Sequence, residues 1–271
     1  MRTLKLAPFG LEVRDLDIAA LSQAAADALP GLIAANRVVV FRNQSGGDAA
    51  LVKFLKQLGP LTFTVGETPV AGAPDLNLVS NLGRTTPPRS VFHTDTSYVA
   101  SPPAFTALRE VVLPAHGGQT VFSDQVAAFL ALPLALRSRL ADCTLQHRTT
   151  GLDGRSESQN QPLFRRHPIT GETALYLSTP ERCSDLSGLE PTTSARLVSV
   201  LYRRSIRASN LYRHTWHKGD VVIWDNRLTM HRADHCAVQG DRVLHRGMVI
   251  GEQPIHARVL PEPNYSTLRS S

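Results

Sequence analysis

The sequence predicts a mainly β domain, an antiparallel barrel or jelly roll with flanking α-helices. Helical periodicity is confined to the first 60 residues and two later stretches, and short apolar runs divided by Pro and Gly lie between and after them. The order helix, β, helix, β also lacks the alternating rhythm of a doubly wound parallel sheet. With 271 residues and 42% hydrophobic content the chain can bury one large core, so a single domain over 1–271 is the simplest organisation.

Ile18, Leu21, Ala25, Leu29 and Ile33 recur at spacings of three and four, which predicts an amphipathic helix over 17–35, interrupted or restarted near Pro30. The run Val38-Val-Val-Phe41 then reads as a buried strand. Asp48 is placed to cap a second helix with Leu51, Phe54, Leu55 and Leu58 on one face, stopped by Gly59-Pro60. Residues 1–60 are therefore expected to form a helical cover over a sheet.

From Leu61 to about Phe122, Pro87-Pro88, Pro102-Pro103 and Gly117-Gly118 punctuate short apolar runs, the pattern of strands joined by long loops. Helical spacing returns over 124–140, broken at Pro133, and again over 193–207 with Leu197, Val200, Leu201 and Arg204 in register. The intervening stretch of about 145–165 is polar, carries Gly151 and Gly154 and follows neither period, so it is a candidate lid or disordered loop. Strands are expected over 211–216, 221–224 and 243–251, with a turn at Lys218-Gly219-Asp220.

Cys143, Cys183 and Cys236 are too few and too far apart for a disulfide framework or a CxxC site. No apolar stretch has the length of a membrane span or signal peptide, so a cytoplasmic protein is expected. A formal charge of +6 suits anionic partners, yet the basic residues are scattered apart from a denser run over 203–218. Aromatic content is only 6%, with no basic, aromatic-rich stretch suited to stacking bases. A small acidic molecule is the expected partner; neither nucleic acid nor membrane is expected, and homo-oligomerisation stays open.

His93-Thr-Asp95 follows Val91-Phe92, and on a strand residues i and i+2 project to the same side, so both ligand types would face one cavity. Alone this is a weak signal. It gains weight from Gly219-Asp-Val-Val-Ile-Trp-Asp-Asn-Arg-Leu-Thr-Met-His231, where a turn feeds a buried strand and His231 follows as a third candidate ligand. Two histidines and a carboxylate form the facial triad of non-haem Fe(II) oxygenases, although zinc accepts the same ligands. Trp224-Asp225-Asn226 is expected to buttress this site. Arg242 and Arg246, evenly spaced on a predicted strand, would face one side and suit the binding of a carboxylate. Arg84, Arg89 and Tyr98 are candidate polar contacts, whereas His116, His147, His167, His214, His217, His235, His245 and His256 are expected to be structural or surface groups.

Five segments together resemble the taurine and 2,4-dichlorophenoxyacetate dioxygenase family of iron(II)/2-oxoglutarate enzymes. They are Val39-Val-Phe-Arg-Asn-Gln44, Phe92-His-Thr-Asp-Thr-Ser97, His116-Gly-Gly-Gln-Thr-Val121, Gly219 to His231, and Arg242-Val-Leu-His-Arg246, in family order from about Leu11 to Pro254. The resemblance implies a double-stranded β-helix (jelly-roll) core and an enzyme that uses Fe(II), 2-oxoglutarate and O2. It implies that His93, Asp95 and His231 bind the metal, that Arg242 and Thr120 hold the distal carboxylate of 2-oxoglutarate, and that Arg246 lies beside the substrate's acidic group or the cosubstrate.

Oxidation of a small anionic organic substrate, by default hydroxylation, coupled to release of succinate, is the implied reaction. Retention of Asp95 argues against halogenation, for which family relatives lack the carboxylate. The aromatic and amide residues that would grip taurine's sulfonate are missing from Leu61–Val70 and Asn81–Ser90, so taurine itself fits poorly. Two further classes compete: a metal-binding jelly-roll protein or hydrolase without redox chemistry, which leaves Arg242 and Thr120 idle, and a nucleic-acid demethylase on the same scaffold.

Overall fold

The computed structural model describes residues 2–64, 66–83, 90–150 and 156–258. Its elements in chain order are β1 (Arg2–Lys5), β2 (Leu11–Arg14), α1 (Gln23–Asn36), β3 (Val38–Phe41), α2 (Gly47–Leu58), β4 (Leu61–Thr62), β5 (Pro69–Val70), β6 (Ala73–Ser80), β7 (Pro103–Val112) and β8 (Thr120–Asp124). They continue with α3 (Gln125–Leu130), α4 (Leu134–Arg139), β9 (Thr144–Arg148), β10 (Ser158–Pro162), β11 (Phe164–Arg166), β12 (Thr173–Leu175) and β13 (Cys183–Leu186). The last are α5 (Pro191–Ser205), β14 (Leu211–His214), β15 (Val221–Asp225), β16 (Thr229–Ala233), β17 (Val243–Ile250) and β18 (Ile255–His256).

The predicted jelly roll is what forms. A large sheet runs β1-β2-β3-β15-β7-β17-β6-β5, with β4 also on β17, and a smaller sheet runs β14-β8-β16. All ladders in both are antiparallel except β2 on β3. Alternation divides the apolar residues of the large sheet between two cores. Val38, Val40, Val222, Trp224, Leu108 and Leu244 pack with Phe122 and Tyr212 of the small sheet. Val39, Phe41, Val221, Ile223, Phe105 and Val249 face the other way, against Ile33, Leu51, Phe54 and Leu55 of the helices. A strand buried on both faces has no polar side, hence the unbroken apolar run of β3. Gly247 permits the close helix contact, because a Cβ there would lie 2.2 Å from Leu55 Cδ1.

The first expected helix divides, but not at Pro30. Asp17 caps a short 3-10 turn (Ile18–Ala20), Ser22 then accepts from Ala25 N, and α1 runs unbroken through Pro30. Packing of Leu29 and Ile33 on the sheet offsets the backbone hydrogen bond that proline cannot make. Asp48 does not cap α2, whose N-cap is Gly46; its carboxylate instead accepts from Arg109 (2.7 Å) and His245 Nδ1 (2.8 Å). Residues 1–60 contribute three strands to the large sheet as well as the helical cover.

Much of the expected lid is ordered structure. β9 and β10 pair antiparallel from Ser158↔Arg148 to Pro162↔Thr144. Their polar residues have internal partners, which is why no apolar period marks them: Gln161 Nε2 donates to Ser97 O and Val99 O, and His147 Nδ1 meets Ser97 Oγ at 2.8 Å. Residues 151–155, with Gly151 and Gly154, lie outside the described residues, as do Arg84 and Arg89. Among the described residues no helix is long and apolar enough to cross a membrane.

Candidate active site

Strand β16 places His231 opposite Phe122 of β8, with its ring in the space between the two sheets. His93 reaches it through an isolated antiparallel bridge, His93 N to His231 O at 3.0 Å and His231 N to His93 O at 2.9 Å. His93 is thus not in a continuous strand as expected. The chain turns directly after it, with Thr96 at φ 37°, and this turn rather than strand alternation swings Asp95 back toward both imidazoles.

Nε2 of His93 lies 3.6 Å from Asp95 Oδ1, and Nε2 of His231 lies 3.8 Å from the same oxygen. All three ligand atoms fall within 4.8 Å of one another. His93 Nδ1 lies 3.0 Å from Val91 O and donates to it, so Nε2 is the nitrogen turned toward Asp95. Burial pushes the His231 imidazole down to about 3, so it is neutral near pH 7. Burial acts to raise the Asp95 carboxyl, but His231, Arg246 and His93 outweigh it and hold the group far below the ordinary range. Two imidazoles and one carboxylate, converging where none bonds fully to another, fit a divalent metal ion.

A chain of hydrogen bonds fixes the carboxylate. Trp224 Nε1 donates to Asn226 Oδ1 (2.9 Å), Asn226 Nδ2 to Thr106 Oγ1 (2.7 Å), and Thr106 Oγ1 to Asp95 Oδ2 (2.8 Å). The Trp224 ring also packs 4.5 Å from that of His231. The expected buttressing by Trp224 and Asn226 is therefore present, with Thr106 as the link that sequence reading missed. Asp225, between them, points elsewhere, to Arg227 and His167.

Arg242 is 2% exposed and meets no carboxylate among the described residues. Its Nε donates to Gly118 O at 2.9 Å and its Nη2 to Thr120 Oγ1 at 3.3 Å. Gly118 is needed here, since a Cβ would lie 3.0 Å from Arg242 Cδ and the backbone holds φ +74°. Burial pushes the guanidinium down to about 10. Arg246 lies on the same side of β17, with Nη1 3.5 Å from Asp95 Oδ1 and Nη2 3.6 Å from Glu67 Oε1.

His93, His231, Thr120, Arg242 and Arg246 line one cavity of about 170 Å³, whose walls include Val79, Leu108 and Trp224. Glu67 and His235 also line it, and neither was expected there. Tyr98, 7% exposed, lines a smaller neighbouring hollow of about 80 Å³ with Thr64 and Thr96. His147, His167 and His214 are buried in structural hydrogen bonds, and His245 belongs to the Asp48 cluster.

A jelly roll that gathers a His-Asp-His metal site and an arginine with no carboxylate partner among the described residues into one cavity fits a metal-dependent enzyme acting with an anion. Residues 2–248 match the Taurine catabolism dioxygenase TauD, TfdA family, and the chain belongs to that family. It is 28% identical to the alpha-ketoglutarate-dependent 2,4-dichlorophenoxyacetate dioxygenase of Cupriavidus pinatubonensis, over 90% of this chain and 95% of the relative. It is 30% identical to the alpha-ketoglutarate-dependent sulfate ester dioxygenase of Pseudomonas putida, over 91% of this chain and 88% of the relative. The crystal structure of a taurine dioxygenase from Burkholderia xenovorans matches with a TM-score of 0.83 at 29% identity, covering 94% of this chain and 92% of that one. AAD-2 in complex with Mn(II) and N-oxalylglycine matches with a TM-score of 0.83 at 25% identity, covering 94% and 99%. The chain is an Fe(II)/2-oxoglutarate-dependent dioxygenase, with O2 as the second cosubstrate.

Proposed function

We propose that His93, Asp95 and His231 hold Fe(II) as a facial triad, that Arg242 and Thr120 anchor the distal carboxylate of 2-oxoglutarate, and that Arg246 meets the acidic group of a small substrate. The observation that carries this reading is Arg242. A guanidinium 2% exposed with no carboxylate partner among the described residues is costly unless an anion completes it, and it faces the cavity that holds the triad.

Bound at the triad, Fe(II) would supply the redox chemistry that couples decarboxylation of 2-oxoglutarate to succinate with oxidation of substrate, by default hydroxylation. The chain's own residues do the placing. Thr106 directs Asp95 Oδ1 toward the two imidazoles, Trp224 packs on His231, and the apolar walls Val79 and Leu108 exclude water around the cosubstrate. Arg246 brings positive charge within 3.5 Å of Asp95, beside the metal site, where an acidic substrate group would compete with Glu67 for it. The relatives named for 2,4-dichlorophenoxyacetate and for sulfate esters favour a small anion of this kind.

A free small molecule in the cytoplasm, not nucleic acid, is the favoured target. Arg37, Arg42, Arg109, Arg165, Arg213 and Arg227 are all tied up in ion pairs rather than arrayed as an open basic stripe. Anaerobic titration with Fe(II) and then 2-oxoglutarate tests the proposal. A weak visible charge-transfer band, followed by succinate release with small carboxylates, sulfonates or sulfate esters, is expected. Bound metal with no band and no 2-oxoglutarate consumption would overturn it.

A further inference from the structure

Resting on the assignment of Thr120 and Arg242 to 2-oxoglutarate, we infer that Trp216 is a positioning residue that turns the Thr120 hydroxyl proton toward the cosubstrate carboxylate. Thr120 Oγ1 receives two hydrogen bonds, from Trp216 Nε1 at 3.1 Å and from Arg242 Nη2 at 3.3 Å. An indole N–H and a guanidinium can only donate, and a hydroxyl has two lone pairs and one proton. Both lone pairs are therefore filled, and the proton is driven into a third direction. Thr120 is 1% exposed, lines the cavity, and donates to no acceptor among the described residues. Its proton is thus held ready for an anion in that cavity.

The indole is itself immobilised. Trp216 packs with Phe122, Tyr212 and Trp224, and the His214 ring meets it edge-on at 4.7 Å and 88°. His214 is pinned at both nitrogens, Nε2 to Asp220 Oδ2 at 3.1 Å and Nδ1 to the Tyr212 hydroxyl at 3.1 Å. The backbone adds registration, since β14 pairs His214 directly with Thr120. Without the indole N–H one lone pair of Thr120 is vacant, the hydroxyl rotates freely, and the donor is no longer preorganised.

Calorimetry on Zn(II)-loaded enzyme, which binds without turnover, reads the effect directly. Trp216→Phe should weaken 2-oxoglutarate by roughly threefold to tenfold, the range for one hydrogen bond. It should leave 2-oxopentanoate, which lacks the distal carboxylate, unchanged, and should have no effect in a Thr120→Val background. Equal weakening of both ligands, or in both backgrounds, would reduce Trp216 to a packing role and overturn the inference. Because the chain has two tryptophans, indole N–H resonances supply a test that needs no tryptophan variant. One of the two signals should move in Thr120→Val and again when 2-oxoglutarate binds, and no movement in either would also overturn it. If Thr120→Val binds 2-oxoglutarate as tightly as the parent, the assignment of Thr120 fails; if it binds weakly and Trp216→Phe does not, only the role of Trp216 fails.

Discussion

Thr106 donates its hydroxyl proton to Asp95 Oδ2 at 2.8 Å, leaving Oδ1 as the oxygen that faces His93 and His231. The orientation of the carboxylate therefore depends on a side chain in the middle of β7, itself held by Asn226 at 2.7 Å. Thr106→Val keeps the shape and removes the donor. It should weaken Fe(II) or Mn(II) binding by about tenfold or more, the usual cost of losing such an outer partner, while Thr106→Ser stays close to the parent. Metal affinity by anaerobic competition with a chelator checks this, and an unchanged affinity would show that the turn at Thr96 alone positions Asp95.

Metal should also stabilise the fold, because the three ligands come together only in the folded chain. At metal concentrations near 100 times the Kd the expected gain is about 2.7 kcal/mol, visible as a rise in melting temperature that a chelator reverses. His231→Ala should abolish both the rise and turnover while the metal-free melting temperature changes far less. Activity surviving in that variant would remove His231 from the site.

His93, Asp95, His231 and Arg242 stood out in the sequence because their residue types suit a metal or an anion, Thr120 stood out only through the family resemblance, and the fold brings the five together. The way they meet was not legible. The His93–His231 bridge and the Trp216–Thr120 contact join segments far apart in the chain, and no local period encodes such pairings. Thr106 left a faint trace as a lone polar residue within the apolar run Ala104-Phe-Thr-Ala-Leu108. The ladder of β9 and β10 left less, since its inward residues, His147 and Gln161, are polar and bond to the Ser97 turn. Helix boundaries failed for two different reasons: Asp17 caps a short 3-10 turn whose apolar spacing runs on into α1, and the Asp48 carboxylate that could cap α2 is held by Arg109 and His245.

Arg242 has no carboxylate partner among the described residues, so on the proposed reading its replacement should act in opposite directions on stability and binding. Arg242→Met removes a buried charge whose titration burial has pushed down to about 10, and the metal-loaded, cosubstrate-free enzyme should gain about 1–3 kcal/mol. The same change should weaken 2-oxoglutarate by on the order of 100-fold, as expected for loss of a charge-assisted pair. Urea unfolding with and without 2-oxoglutarate reads both effects. A variant that is less stable in the absence of the cosubstrate would mean that the contacts to Gly118 and Thr120 already satisfy the guanidinium.

Asp225 offers the clearest pH signature. It is wholly buried, and although burial acts to raise its carboxyl, Arg227 and His167 outweigh that and hold it well below the ordinary carboxylate range. Oδ1 also accepts from Arg227 N at 2.9 Å, and the Asp225 carbonyl accepts from Thr229 Oγ1 at 2.8 Å, so the residue ties the turn that carries the chain to His231. Asp225→Asn should cost about 3–5 kcal/mol at pH 7, because it leaves Arg227 short of its main counter-charge. A carboxyl depressed in the folded state contributes stability fully above its unfolded value of about 3.9, and loses it as pH falls toward the folded value. The gap between parent and variant should therefore be constant from pH 7 to about 5 and narrow by up to about 1.4 kcal/mol per unit below pH 4. Urea unfolding of both proteins at pH 7, 5, 4 and 3 measures the gap, and a constant difference down to pH 3 would show that Asp225 holds the turn through geometry rather than charge.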